Sequence, residues 1–109
     1  MRRDAPIAAA LLALALVVAR PAVAQVPERD ALYLRSLAAT CAACHGTVGR
    51  TAEGSTVPAL AGQPREAIES QLLAFKAGAR PSTVMQQLAK GYSEAQIRQL
   101  AAYFAAQPR

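Results

Sequence analysis

Cys41-Ala42-Ala43-Cys44-His45 is the one stretch of this 109-residue sequence in which residue types and spacing together allow a single chemistry. Two cysteines three positions apart can each form a thioether with the two vinyl groups on one side of a porphyrin, and the following histidine is then carried beneath the ring with an imidazole nitrogen aimed at the iron. The pentapeptide therefore reads as a covalent attachment site for one haem c, with Cys41 and Cys44 carrying the thioethers and His45 as an axial iron ligand. Two other readings use fewer of its residues. A thioredoxin-like redox pair sits beside a strand and helix pattern, and the sequence holds no convincing strand run. A structural zinc site takes four ligands, whereas two Cys and one His are present.

Working toward the N-terminus, the segment Glu28–Thr40 reads as a helix that runs into the haem motif. Pro27 suits a helix start, Glu28 and Asp30 place acid in the first turn where the helix dipole favours it, and Leu34, Leu37, Ala38 and Cys41 recur at helical spacing. Further upstream, Arg2 and Arg3 precede an unbroken apolar run of 13 residues from Ile7 to Ala19, and Ala22-Val23-Ala24 offers a small-residue cleavage site. Residues 1–24 are thus expected to be a cleaved signal peptide. The run is shorter than the roughly 20 residues needed to span a bilayer, so an anchor and stable membrane insertion are not expected. Counting from Gln25, 85 residues remain, with nine Lys or Arg against six Asp or Glu. That modest positive balance, without an aromatic and basic stripe, gives no case for nucleic acid. Export fits a haem added after translocation, and the expected location is the periplasm.

Working toward the C-terminus, Gly46 is placed to let the backbone leave the iron site at an angle that a side chain would resist. Residues 47–62 are rich in Gly, Thr, Ser and Pro with no apolar period, and read as a loop. Within that loop Val57 to Gly62 is the apolar island. A metal-bound histidine gives its other N–H to a carbonyl or carboxylate; the Pro58 carbonyl is the candidate acceptor, and Leu60 is expected against the haem. An ordinary proline turn is the competing reading. Pro64 then opens a helix as its first residue, Gly78 caps it, and Ile68, Leu72 and Phe75 form its core face. Arg80-Pro81 breaks the chain, Ser82 to Lys90 is expected as irregular turns, and Ser93-Glu94-Ala95-Gln96 is a capping box opening a last helix with Ile97, Leu100, Ala101 and Phe104 on its apolar side. No repeat or low-complexity tract divides residues 25–109, so the expectation is one all-α domain, a small helical bundle wrapped around one haem that staples a modest core.

The residue on the other face of the iron separates electron transfer from gas binding or peroxide chemistry. Met85, forty residues beyond His45, is the one methionine past the leader, and no second histidine exists. By elimination Met85 is the expected sixth ligand, on a segment bounded by Pro81 and Gly91. A lone Met is ordinarily a core residue, and Lys76 and Lys90 are weaker substitutes because a charged ammonium is strongly hydrated. With His and Met on one iron no position is open to substrate, so the protein would carry electrons rather than catalyse.

Cys41, Cys44, His45, Pro58, Leu60, Met85, Tyr103 and Phe104 resemble, in order, the marks of the class I cytochromes c: a first helix ending in C-x-x-C-H, a Pro-x-Leu-x-Gly turn, a methionine loop and a last helix with an aromatic pair. The resemblance implies the class I cytochrome c-like bundle, a monohaem domain over residues 25–109, the Pro58 carbonyl accepting from His45, and a last helix crossing the first. Phe75 to Met85 and Ala89 to Ser93 are more specifically similar to the haem subunits of flavocytochrome c sulfide dehydrogenases. That likeness implies an FAD-containing sulfide dehydrogenase subunit as donor and a downstream acceptor such as another cytochrome. Some members carry two haem domains, whereas this sequence has one motif. Docking is expected through the haem edge, rimmed by Ala42, Ala43, Val57 and Val84, with Lys76 and Arg80 setting orientation. A freely diffusing periplasmic shuttle is the alternative, and an open-site haem enzyme or gas sensor a further one.

Overall fold

Helix signals dominate the sequence beyond residue 25, and the computed structural model, which describes residues 26–109, is helical with no strand among the described residues. The signal-peptide expectation for residues 1–24 lies outside the described residues. Among the described residues five α-helices follow one another: α1 (Val26–Ala39), the single turn α2 (Ala42–His45), α3 (Arg65–Lys76), α4 (Met85–Lys90) and α5 (Glu94–Ala105), with a short 3-10 turn at Thr47–Gly49. Residues 31–109 form one compact unit by their internal contacts.

The start of α3 differs slightly from expectation. Pro64 has ψ 133°, so it stands just outside the helix, its carbonyl accepting from the Ala67 and Ile68 amides at 3.1 and 3.2 Å. The far end closes as the sequence implies: Gly78 takes φ +74°, its amide donates to the Phe75 carbonyl at 3.1 Å, and the Ala79 amide donates to Ala74 at 2.9 Å. Those paired bonds are the Schellman arrangement, which needs a left-handed residue where glycine stands.

A larger departure is α4, since residues 85–90 are helical where irregular turns are expected. A six-residue helix has too few internal bonds to persist by itself, and the surrounding side chains supply the remainder. The Ser82 hydroxyl accepts from the Gln86 amide at 2.8 Å and the Gln86 side-chain amide donates to the Arg80 carbonyl at 2.8 Å. At the other end the Lys76 ammonium donates to the Tyr92 and Lys90 carbonyls, a cation where a helix C-terminus favours one.

The capping box on α5 is complete: the Gln96 amide donates to the Ser93 hydroxyl at 3.1 Å and the Ser93 amide to the Gln96 side-chain oxygen at 2.9 Å. Behind it Ile97, Leu100, Ala101 and Phe104 are all buried. Leu100, Ala101 and Phe104 join Ala38 of α1 and Ile68 of α3 in one cluster, so first and last helices share a core. Fully burying a side chain such as Leu100 contributes about 1.5–3 kcal/mol. α1 also meets α5 through Gln96, whose side-chain amide donates to the Tyr33 hydroxyl at 2.8 Å. The 47–62 loop, free of local order by composition, is pinned by backbone: the Gly49 carbonyl accepts from Leu60 and Ala61 at 2.8 and 3.1 Å, and the Gly62 amide donates to Phe104 at 2.9 Å.

Candidate haem site

A cavity of about 650 Å³ lies between the 40–60 segment and helices α3 to α5. Its walls are mainly apolar, with Leu60, Ile68, Leu72, Phe75, Leu100 and Phe104 prominent among them. The α3 face expected to be core is therefore shared, since Ile68 belongs to the buried cluster and Leu72 packs against it, while Ile68, Leu72 and Phe75 all line the cavity. Helical spacing marks an apolar face and does not say whether protein or a flat apolar cofactor covers it.

The structure brings Cys41, Cys44, His45, Pro58, Leu60 and Met85 to this one cavity. His45 is buried, 8% exposed, with its Nδ1 at 2.7 Å from the Pro58 carbonyl oxygen. A carbonyl can only accept, so Nδ1 holds the proton and Nε2 keeps the lone pair a metal needs. Gly46 makes this geometry possible. Its φ is +81°, and a Cβ there would stand 1.8 Å from the Arg50 carbonyl oxygen. Cys41 is half-buried and Cys44 exposed, and no disulfide joins them. Burial pushes the Cys41 thiol up, which disfavours the thiolate that disulfide exchange requires. Among the described residues no group of three or more His, Cys, Asp or Glu side chains is placed to hold a metal ion.

Met85, half-buried, is the first residue of α4 and lines the same cavity as His45. Lys76 is turned to the Lys90 and Tyr92 carbonyls, and neither Lys76 nor Lys90 is among the residues lining the cavity. Of the expected rim, Val57 and Val84 line the cavity and Ala42 and Ala43 do not. Sequence reasoning missed Thr40, Tyr92 and Arg80 as wall residues. Arg80 lies over the Phe75 ring at 4.8 Å from its centroid, and the Thr40 and Tyr92 hydroxyls meet at 2.7 Å. Such pairings across the fold leave no periodic mark in the sequence.

Two thiols at attachment spacing, a histidine with one nitrogen bare, and apolar walls fit a haem, and together with the helical fold they define a small all-α protein that holds one covalent haem c. The family model for cytochrome c matches residues 35–107. The chain belongs to the cytochrome c family and has its electron-carrying role. It is 43% identical over 86 residues to the cytochrome subunit of sulfide dehydrogenase from Chlorobaculum tepidum, covering 79% of this chain and 74% of that one. It is 43% identical over 67 residues to the thiosulfate dehydrogenase electron acceptor of Thiomonas intermedia, covering 62% of this chain and 31% of that longer protein. It is 37% identical over 71 residues to cytochrome c-554(548) of Halomonas halodenitrificans, covering 62% and 84%. Among the described residues no helix is long and apolar enough to cross a membrane.

Proposed function

We propose that the chain is an exported, periplasmic one-electron carrier whose haem iron is held by His45 and Met85, and that it serves as the haem subunit of a sulfide-oxidising flavoprotein complex. One observation carries the ligand assignment: Met85 lines the same cavity as His45, and the two lysines that could replace it are not on the walls. Haem c supplies one-electron chemistry at its iron. His45 would hold the iron through Nε2, with the Pro58 carbonyl fixing the ring and raising its basicity. The Met85 thioether would supply a second ligand, and Leu60, Ile68, Leu72 and Phe104 would keep water out. A thioether ligand and an apolar shell both favour the reduced state and raise the potential.

The partner assignment rests on the likeness to the sulfide dehydrogenase cytochrome subunit over most of both chains. Docking uses the cavity rim at Val57 and Val84. Of the two cations expected to orient it, Arg80 is the one available, because Lys76 is engaged inside the fold. The likeness to thiosulfate dehydrogenase electron acceptors favours a second reading, a shuttle serving other sulfur-oxidising dehydrogenases. Gentle purification of the tagged protein from its native host decides between them. A flavin-containing chain should copurify and sulfide should reduce the haem through it. A cytochrome that emerges alone, and that the periplasmic fraction with sulfide reduces no faster than sulfide alone, overturns the complex in favour of the shuttle. Sequencing the mature N-terminus should return Gln25.

A further inference from the structure

Tyr92 links the end of α4 to the segment just before the haem motif. It lies between α4 and α5, its amide donates to the Ala89 carbonyl at 3.2 Å, and its own carbonyl accepts from the Lys76 ammonium. Its side chain reaches across 52 positions of sequence to Thr40, the residue immediately before Cys41, with the two hydroxyl oxygens 2.7 Å apart. The direction of that bond is determined. The Thr40 hydroxyl donates its single proton to the Leu37 carbonyl at 2.7 Å, so it can only accept from Tyr92. The result is a polarised chain from the Tyr92 O–H through the Thr40 O–H to the end of α1. Both side chains line the haem cavity.

We infer that Tyr92 is a positioning residue for the Met85 side of the haem, a clasp that ties the α4 end to the haem-attachment segment. The inference rests on the His45 and Met85 assignment. α4 is short, begins at Met85, and is held by side chains; among these, Tyr92 is the residue whose hydrogen bond runs directly to the segment carrying the thioethers. Without it the α4 wall keeps its bonds to α3 but loses its link to the attachment side, and the thioether leaves the iron more often.

Carbon monoxide binding to the reduced holoprotein measures that opening, because the gas can bind only after Met85 departs. Tyr92→Phe and Thr40→Val should each speed binding about two- to ten-fold, the factor expected for one net hydrogen bond. The double variant should be no faster than the faster single variant, and Thr40→Ser, which keeps the hydroxyl, should restore the wild-type rate. The oxidised variants should also show a weakened sulfur-to-iron near-infrared band, which loss of packing elsewhere would not produce. If the wild type has the band and the single variants bind carbon monoxide at its rate, or if their effects multiply, the clasp is wrong and the ligand assignment stands. A wild type without the band overturns the assignment and the clasp together.

Discussion

The two walls of the haem cavity are held by different kinds of bond. On the His45 side the loop is pinned chiefly by backbone groups binding backbone groups, beside side-chain bonds from His45, Arg50 and Arg109: Gly49 takes two amides, Gly62 donates to Phe104, and Gly46 adopts a conformation that admits no Cβ. On the Met85 side, side chains do the work, with Ser82 and Gln86 at the start of α4, Lys76 at its end and Tyr92 beyond. A backbone network over-determines its geometry, whereas side-chain bonds around a six-residue helix can break one at a time. The His45 wall should behave as a fixed seat and the Met85 wall as the part that yields.

The largest expected effect comes from untethering the fixed seat. Cys41→Ala with Cys44→Ala removes both thioethers, and acid-acetone should then extract all haem from whatever pigment forms, whereas the wild type should release none. Release from the wild type would remove the basis of the contrast. Next, Gly46→Ala forces a Cβ against the Arg50 carbonyl at 1.8 Å and should cost about 3 kcal/mol or more, seen as a lower unfolding midpoint and poor holoprotein yield. Gly78 is the matched control: its φ is also positive, at +74°, yet nothing lies within 4 Å of an added Cβ. Gly78→Ala should cost only about 1–2 kcal/mol, and equal losses at both glycines would show that the seat is no more rigid than the opposite wall.

Met85→Ala tests the yielding wall directly. The helical signal should persist while the sulfur-to-iron band disappears and the potential falls by on the order of 0.1 V, a fraction of the roughly 0.8 V range that axial ligands command. An unchanged potential would exclude the methionine. Smallest of the set, Ser82→Ala removes the hydroxyl that accepts from the Gln86 amide and should destabilise α4 by about 1 kcal/mol. Amide exchange should quicken at residues 85–90 and stay slow around Gly49; acceleration spread evenly over both walls would contradict independent yielding.

Much of this protein is written in local chemistry. The Cys41 to His45 spacing names the haem because thioether and axial-ligand geometry are set within five residues, and the Ser93 capping box and the Gly78 cap appear because each needs only its own neighbours. The stripe of Ile97, Leu100, Ala101 and Phe104 marks a buried face for the same reason. Tertiary structure completed the helix at residues 85–90, where Lys76 reaches the Lys90 and Tyr92 carbonyls, while Ser82 and Arg80 bind Gln86 from only four and six positions away. It alone turned Lys76 inward, pinned an apparently featureless loop through Gly49, and set Tyr92 against Thr40. Those bonds join residues up to 52 positions apart, and a bond between distant residues has no period, cap or spacing by which a linear sequence could announce it.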